Sequence, residues 1–576
     1  MIARRSSSLP MHTLMHHPMP NLRLLRLLSL GFLAACDRGA ASKPSAAAES
    51  PGGTVVISTP AEPDNLMPPI TTAQAGKQVE DLVYQHLADV GPALNTTGDA
   101  GFTPSLALRW DWAADSLSIA FHLDSSAHWH DGRAVRAPDV AFTFALYTDP
   151  KTASPAATQL TNVDSVTVRD SLTAVVWYKR RMPTQFFDVV MQMFILPSHL
   201  LATTDRSTLA SSPLATQPVG SGPFRVVRWI PAQVLELAAD TTGGRRRAQL
   251  DRVVFTNAPD PVTAFTRVAA GEADVFEAVR PDKVAEVAKN PQLRLIVAPS
   301  LEYSYLGFNL LDPVTGKPHP IFGDRNVRRA LTMATDRRSI VANIFDTLAV
   351  QARGPFTSAQ SVADSALKPL PYNVDSANAL LTAAGWVRGP DSLRRRNGKV
   401  FGFSILVTST SVARMRAAVL LQEQFRLVGA DVKIDATDFG AWLSRSKARK
   451  YDTLVGQWGQ DAGPSNVRDS WMSAGAGKDG NNYSDYRSTA FDAQVDSGLA
   501  ASETRVMKAH FAAAWHIIAE DAPAIWLAEP RRVMAVQSRI EVTGIRPDAW
   551  WAGIARWQIP AAKRIARDLP APVAAR

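Results

Sequence analysis

Cysteine is almost absent from this sequence, since Cys36 is the single one among 576 residues. One thiol excludes an intramolecular disulfide bond and every zinc site that is built from two or more thiolates. Long apolar runs are absent as well, because none after the first 35 residues reaches the roughly 18 residues of a membrane-spanning helix. No repeat with a period of about 20–50 residues is visible, which excludes a solenoid or a propeller. The sequence therefore predicts a body without disulfide bonds, membrane-spanning helices or repeats.

A strong excess of positive charge is also missing. The formal net charge is +9, and it becomes +5 when the four arginines of the first 35 residues are set aside. The basic runs at 245–247 and 394–396 each follow a Gly or Pro turn and lack interleaved aromatic residues, which a nucleic-acid-binding face would need. Nucleic acid is therefore not an expected partner.

Motifs of the common enzyme classes are missing too. No H-E-x-x-H, P-loop or dinucleotide-binding fingerprint occurs in the sequence. Gly220-Ser221-Gly222 resembles part of a nucleophile elbow, but that motif is G-x-S-x-G, and Val219 occupies the place of its first glycine. We therefore expect no catalytic residue, no cofactor and a role other than that of an enzyme.

The N-terminus carries an export signal. Residues 1–35 contain four arginines and no acidic residue, and they end in the apolar run 27–35. This run is too short to cross a bilayer, which takes about 20 residues, so the segment is typical of a secretory signal peptide. Leu33-Ala34-Ala35-Cys36 resembles the lipobox of bacterial lipoproteins, which implies that the Cys36 thiol accepts a diacylglyceryl group. The alternative is that Cys36 is a leftover buried cysteine.

Residues 36–52 predict a flexible tether between this anchor and the folded body. They are rich in Ala, Ser, Gly and Pro and hold too little apolar surface to fold. Two or three acyl chains hold a protein stably on a membrane where one does not. Asp37 stands directly after the cysteine, and this resembles the signal that retains enterobacterial lipoproteins at the inner membrane. We expect a periplasmic protein that is anchored to the inner membrane through Cys36.

Strand and helix patterns alternate along the body, which predicts an α/β fold of two or three structural units. Thr54-Val55-Val56-Ile57 predicts a buried strand, and the alternation over 117–123 predicts a half-buried strand that leads to a hairpin turn at Asp131-Gly132. The clearest helical stretch is 324–345, where Asp324 and Asp336 are placed as N-caps of two consecutive helices. Further strands are predicted near 220–240 and at 301–311, and further helices at 136–150, 260–270 and 412–428.

Short motifs occur in a fixed order across nearly the whole mature chain: GGTVVI (52–57), FHL (121–123), WHDG (129–132), PVGSGPF (218–224), AGEADV (270–275), LGFN (306–309), VRRAL (327–331), ATDR (334–337), YD (451–452), WGQD (458–461), NYS (482–484) and FD (491–492). Each motif alone is weak, but the ordered set resembles the solute-binding proteins of ABC importers. The class that it resembles is family 5, which contains dipeptide-, oligopeptide- and nickel-binding members.

This resemblance implies a type II periplasmic-binding-protein fold, with two α/β lobes that are joined by hinge strands and close on a ligand. It also implies an extra subdomain at 101–217. The first lobe would consist of 53–100, 218–300 and 526–576, and the second lobe of 301–525. Strand and helix patterns agree with the α/β class, but they do not predict this connectivity.

The resemblance also implies where a solute binds. In peptide-binding members, a W-x-x-D stretch after a strand supplies the carboxylate that pairs with the α-ammonium of the peptide, and Asp461 matches that position. Trp458 would form a wall of the pocket, and the hydroxyls of Thr408 and Ser409 could donate to an anionic group of the same solute. The alternative is that Asp461 caps a loop or begins a turn, because Gly463-Pro464 follows. Peptide binders often carry an acidic residue just before this proline, and here that residue is Gly463.

His122, His128, His130 and Asp131 form a candidate metal cluster, because strand alternation puts His128 and His130 on the same face. The resemblance instead places 130–132 in a hairpin turn of the subdomain. We therefore expect no metal at this cluster.

Two function classes remain open. The first is a monomeric receptor that captures a peptide or similar small solute and presents it to ABC permease subunits in the inner membrane. The second is a chaperone-like or sensory relative that uses the same closing lobes without transport. Within the first class, nickel chelates and oligosaccharides are alternatives to a peptide.

Overall fold

The structure is a computed structural model that describes residues 51–242, 247–312, 314–478 and 480–569. The predicted signal peptide, Cys36, Asp37 and most of the predicted tether lie outside these residues. None of the helices in the described ranges has the length and apolar character that a membrane span requires.

The strands of the described residues are β1 (Thr54–Thr59), β2 (Ala88–Val90), β3 (Phe102–Pro104), β4 (Ala107–Trp112), β5 (Ser118–Leu123), β6 (Val163–Asp170), β7 (Thr173–Tyr178), β8 (Phe224–Ile230), β9 (Val234–Ala239), β10 (Arg252–Asn257), β11 (Val275–Phe276), β12 (Leu293–Ala298), β13 (Glu302–Phe308), β14 (Ala349–Gln351), β15 (Val387–Arg388), β16 (Arg394–Arg396), β17 (Lys399–Val400), β18 (Gly402–Thr408), β19 (Asp431–Thr437), β20 (Thr453–Gly459), β21 (Ala524–Pro530) and β22 (Arg532–Gln537).

The α-helices of the same residues are α1 (Gln74–Val83), α2 (Ala137–Thr148), α3 (Gln185–Gln192), α4 (Ser198–Leu201), α5 (Pro261–Ala269), α6 (Val284–Lys289), α7 (Arg325–Met333), α8 (Arg337–Phe345), α9 (Val374–Ala383), α10 (Val412–Leu427), α11 (Phe439–Lys447), α12 (Val467–Trp471), α13 (Thr489–Ala500) and α14 (Thr504–Asp521).

One sheet has seven strands in the order β12-β22-β11-β1-β10-β9-β8. The predicted buried strand is confirmed as β1, where Val55 and Ile57 are fully buried. It lies parallel to β10 and next to β11, and the predicted strand pair near 220–240 is the antiparallel pair β8–β9. The late strand β22 enters this sheet between β12 and β11, so the end of the chain returns to the sheet in which it begins.

A second sheet has six strands in the order β14-β21-β13-β20-β18-β19. Strand β18 is parallel to both β19 and β20, so the carboxyl ends of these three strands meet at one edge. Alternate residues of β13 point to opposite faces: Leu306 and Phe308 pack in one buried cluster, whereas Tyr303 and Tyr305 pack in another. Both faces of the sheet are therefore covered.

The predicted helix pair at 324–345 is confirmed as α7 and α8. The Asp324 carboxylate accepts a hydrogen bond from the Asn326 backbone, and the Asp336 carboxylate accepts one from the Ser339 backbone. These caps satisfy backbone N–H groups that the first turn of a helix leaves unpaired.

Two chain segments cross from the seven-stranded to the six-stranded sheet. They are 298–302, between β12 and β13, and 530–532, between β21 and β22. The segments touch each other, since the Ser300 hydroxyl donates to the Pro530 carbonyl at 2.5 Å. The arrangement is the one expected of a hinge, while the residue limits of the two lobes stay a prediction.

A third sheet, in the order β4-β5-β7-β6, is antiparallel throughout and lies within the predicted extra subdomain. The prediction that its strand β5 is half-buried is wrong, because only His122 of this strand is not fully buried. Ser118 and Ala120, on the second face, are short and lie opposite the larger Trp177 and Val175 of β7. The hairpin turn at Asp131-Gly132 is confirmed, and Gly132 takes the positive φ of +86° that such a turn requires.

Candidate ligand site at the junction of the two sheets

Asp461 lies two residues beyond the end of β20, beside one of the two crossings. Strand β20 pairs with β13 up to Glu302↔Gly459, and the pairing continues one step further because the Gln460 N–H donates to the Leu301 carbonyl at 2.6 Å. Leu301 belongs to the crossing segment 298–302. Asp461 is thereby placed where the chain passes from one sheet to the other.

The Asp461 carboxylate makes no hydrogen bond and no ion pair within the described part of the chain. Its side chain is open to solvent, yet the surrounding protein desolvates the carboxyl and raises its pKa. The charge of Lys77 opposes this rise, and the charge of Asp469 adds to it. A negative group that is crowded by protein but lacks a partner is suited to pair with a cation of a bound molecule.

Among the described residues, no hydrogen bond of the Asp461 carboxylate supports the alternative that this side chain caps a turn. The short turn at Pro464–Asn466 begins at Gly463 without any side-chain cap. Instead, the loop is fixed through its backbone, because the Gln360 amide donates to the carbonyls of Asp461 (2.9 Å) and Gly463 (3.4 Å). The Asp461 side chain is therefore left free while its backbone is held, although the amine-pairing role itself stays a prediction.

Residues that pack with the seven-stranded sheet approach the Asp461 loop from the opposite side of the junction. Lys77 lies on α1, which packs in the same hydrophobic cluster as β1, and its ammonium is close enough to act on the Asp461 charge. Leu301 and Ala462 are buried in that same cluster, and the hydroxyls of Thr96 and Ser361 share a hydrogen bond. Asp461 thus lies between structural elements of both sheets.

Trp458 is half-buried near the end of β20. Its indole stacks on the Tyr483 ring at 5.2 Å between centroids and 26° between planes. The Arg449 guanidinium also lies over the Tyr483 ring, 5.7 Å from its centroid. Packing fixes the orientation of Trp458 while part of its surface stays accessible, as a pocket wall requires.

Thr408 and Ser409 lie at the carboxyl end of β18, at the same sheet edge as Trp458. Their hydroxyls are already engaged: Thr408 bonds the Thr410 hydroxyl at 2.9 Å, and Ser409 donates to the Thr437 carbonyl at 3.0 Å. Thr408 is also 1% exposed. Donation to an anionic solute group would require these bonds to change, so this role stays a prediction with less geometric support than that of Asp461.

The histidines of the subdomain have separate partners. His122 contacts Asp111 at 2.8 Å, His128 bonds the Ser126 carbonyl, and Asp131 instead pairs with His199 at 2.7 Å. No group of three or more His, Cys, Asp or Glu side chains in the described ranges has an arrangement that could hold a metal ion.

His130 and the Gly220-Ser221-Gly222 segment serve each other structurally. The Gly220 N–H donates to His130 Nδ1 at 3.1 Å, and His130 Nε2 donates to the Gly222 carbonyl at 3.0 Å. A Cβ atom at Gly220 would lie 1.8 Å from the Val83 carbonyl oxygen. The glycines therefore allow the loop to approach the end of α1.

Several residues of the junction were not among the predicted site residues. Tyr483 lies in a motif that carried the family resemblance, but the motif does not assign it a role. Lys77 and Gln360 have no local signal, because one is an exposed helical lysine and the other is a loop glutamine whose partner is 101 residues away.

The sequence matches the description "Bacterial extracellular solute-binding proteins, family 5 Middle" over residues 101–479. The oligopeptide-binding protein AppA of Bacillus subtilis (strain 168) is 26% identical over 548 residues, which cover 93% of this chain and 97% of that protein. The dipeptide-binding protein of Escherichia coli (strain K12) is 23% identical over 507 residues, which cover 82% of this chain and 89% of that protein.

Solved structures agree with this assignment at the level of the fold. The structure of AppA from Bacillus subtilis in complex with a nonapeptide is similar with a TM-score of 0.72 at 24% identity, covering 89% of this chain and 99% of that one. NikZ from Campylobacter jejuni in complex with Ni(L-His) is similar with a TM-score of 0.73 at 23% identity, covering 88% of this chain and 100% of that one. The predicted type II periplasmic-binding-protein fold is confirmed, and the chain belongs to family 5 of the bacterial extracellular solute-binding proteins.

Proposed function

We propose that the protein is the extracytoplasmic receptor of an ABC importer and that it captures a peptide between its two lobes. The observation that carries this proposal is the Asp461 carboxylate, which lies at the junction of the two sheets and has no hydrogen-bond or ion-pair partner among the described residues. A peptide brings an α-ammonium group, and a cation that loses its water on enclosure needs an opposite charge within hydrogen-bond distance. The relatives named as oligopeptide- and dipeptide-binding proteins support the same solute class.

The rest of the proposal concerns where the receptor works. A lipidated Cys36 would anchor the protein to the outer face of the inner membrane, and residues 36–52 would tether its lobes there. The lobes would then deliver the solute as a monomer to permease subunits of the same membrane. No catalytic step is part of this proposal.

The test is calorimetry on the mature chain with di-, tri- and tetrapeptides, together with their N-acetylated forms. We expect free peptides to bind and N-acetylated peptides to bind at least tenfold more weakly, because acetylation removes the positive charge. Native mass spectrometry of the purified protein identifies a solute that remains bound. Equal affinity for free and acetylated peptides, or binding of only a nickel chelate or an oligosaccharide, would contradict the proposal.

A nickel-chelate solute is the second candidate, because the similar structure of NikZ contains Ni(L-His). A measurement of peptide uptake distinguishes the transport role from the chaperone-like or sensory alternative. If the protein binds peptides but deletion of its gene leaves peptide uptake unchanged, a role in transport is excluded.

A further inference from the structure

A cavity of about 760 Å³ lies beside the six-stranded sheet, and Asp461 is not one of its lining residues. It is bounded by the segment 350–369, by α14 and by the end of β21. Its volume is within the range of about 300–1,000 Å³ that is typical of small-molecule sites.

The walls of this cavity combine apolar side chains with polar and charged ones. The aromatic side chains Phe356, Phe511 and Trp515 line it and are at most 6% exposed. Phe356 and Phe511 meet edge to face, with 5.5 Å between their centroids. Rigid aromatic side chains are a usual part of the wall of a binding pocket.

A single buried carboxylate lies among these walls. Glu529 is 5% exposed, and its Oε2 accepts hydrogen bonds from the Ser358 backbone (2.8 Å) and hydroxyl (2.7 Å). Its other oxygen, Oε1, makes no hydrogen bond or ion pair within the residues that the structure describes. Burial raises the pKa of Glu529, while the two Ser358 bonds and the charge of Arg353 oppose this rise.

The charges at the rim do not pair with Glu529 directly. Arg353 is exposed and donates to the Ser365 carbonyl, and Lys368 and Asp364 are exposed as well. Because Oε1 has no donor among the described residues, a bound cation that reaches it would be stabilised by a charge-assisted hydrogen bond.

We propose that this cavity is a binding pocket for an alkylammonium or alkylguanidinium group, whose apolar stem lies against the aromatic walls and whose charge pairs with Glu529. Two sources have this chemistry. One is the lysine or arginine side chain of a captured peptide, and this source rests on the proposed function. The other is a free organic cation, which does not depend on it.

The decisive experiment titrates n-hexylammonium and hexylguanidinium into the mature chain, with hexan-1-ol and hexanoate as neutral and anionic controls of equal length. We expect both cations to bind and both controls to bind at least tenfold more weakly. In Glu529→Gln, an amide keeps an acceptor for Ser358 but loses the charge, so the affinity for the cations should fall by about tenfold or more. Asp431→Asn removes an exposed carboxylate of β19 that does not line the cavity, and it should change the affinity by less than twofold.

A second variant tests the proposal independently in case Glu529→Gln does not fold. Ala363→Trp places bulk at a half-buried position of the cavity wall and should abolish binding of the cations without changing the charge. Thermal melting checks that each variant is folded. Binding of hexylammonium no tighter than that of hexan-1-ol, or equal affinity in wild type and folded Glu529→Gln, would overturn the proposal.

Peptides then distinguish the two sources. A tetrapeptide with lysine should lose affinity in Glu529→Gln, relative to its norleucine analogue, if the pocket takes a peptide side chain. If hexylammonium and the lysine peptide bind together without competition, the pocket takes a free cation. Asp461→Asn should leave hexylammonium binding unchanged in either case, so a failure of peptide capture at Asp461 is distinguishable from a failure of this pocket.

Discussion

Replacement of Asp461 by asparagine tests the proposed pairing with the α-ammonium group of a peptide. Asparagine keeps the shape of the side chain and removes its charge. In the structure the carboxylate has no partner of its own to lose, so the substitution should leave folding unchanged and affect binding alone. Truncation of one partner in a buried, hydrogen-bonded charge pair costs about 2–5 kcal/mol, which corresponds to a loss of affinity of about 30-fold or more.

The structure favours the lower part of this range, because the Asp461 side chain is open to solvent and water screens an exposed charge. Calorimetry with a free tripeptide and its N-acetylated form gives the measurement. In wild type, acetylation should cost about as much affinity as Asp461→Asn does, and in the variant acetylation should have little further effect. This non-additivity is the signature of a direct pair.

The pH dependence of binding gives a second reading of the same pair. The ammonium binds the ionised carboxylate, so affinity should fall as the pH falls through the raised pKa of Asp461. Asp461→Asn should flatten that profile. Asp469→Asn is the matched control: it removes a nearby exposed carboxylate and should change affinity by less than threefold. A loss below tenfold in Asp461→Asn, or an equal loss in both variants, would refute the reasoning.

Three further predictions concern the anchor, the lobes and the core. Cys36→Ser should leave the protein unprocessed or released into the periplasm, and detergent-phase partitioning that equals that of wild type would contradict the lipid anchor. A bound solute should raise the melting temperature and reduce the radius of gyration in solution scattering, because it contacts both lobes only when they close; binding with an unchanged scattering profile would exclude closure. Glu80 is 1% exposed, and burial raises its pKa from about 4.5 to about 8. The folded protein therefore binds a proton at Glu80 more tightly than the unfolded protein does. The stability that this proton provides is present below pH 4.5 and is lost as the pH rises through about 8. Glu80→Gln should gain up to about 4 kcal/mol relative to wild type between pH 5 and pH 9, measured by denaturant unfolding, and an equal difference at both pH values would contradict this.

Local features of the fold were predictable because local chemistry determines them. Asp324 and Asp336 cap helices through backbone groups two or three residues away, and Gly132 takes a positive φ angle that other residues avoid. Such contacts leave a mark in a short stretch of sequence. The strand β5 shows the limit, since it lies between β4 and β7 in the sheet and the burial of its second face is not visible in its own sequence.

Long-range pairing was not predictable from the residues alone. Strand β1 pairs with β10 almost 200 residues later, and β22 joins the same sheet near the end of the chain. The candidate site has the same property: Trp458 and Asp461 were identified through a family motif, whereas Gln360 reaches the Asp461 loop from a distant segment. Glu529 was missed for the same reason, since the Ser358 that hydrogen-bonds to it is 171 residues away in sequence.

Because of its position, Asp461 is expected to affect how tightly a solute binds but not how far the lobes close. The Gln460 N–H bonds the Leu301 carbonyl within the crossing 298–302, so the Asp461 loop lies close to the axis about which the lobes would rotate. Points near a rotation axis move little, whereas Lys77, on the other side of the junction, moves with its lobe. The solute's ammonium would therefore be held first at Asp461, and closure would follow from contacts further from the axis. We expect Asp461→Asn, when saturated with peptide, to reach the same radius of gyration as liganded wild type while needing more peptide to do so. Solution scattering across a peptide titration measures both quantities, and a saturated variant that stays as extended as the unliganded protein would show that Asp461 drives closure itself.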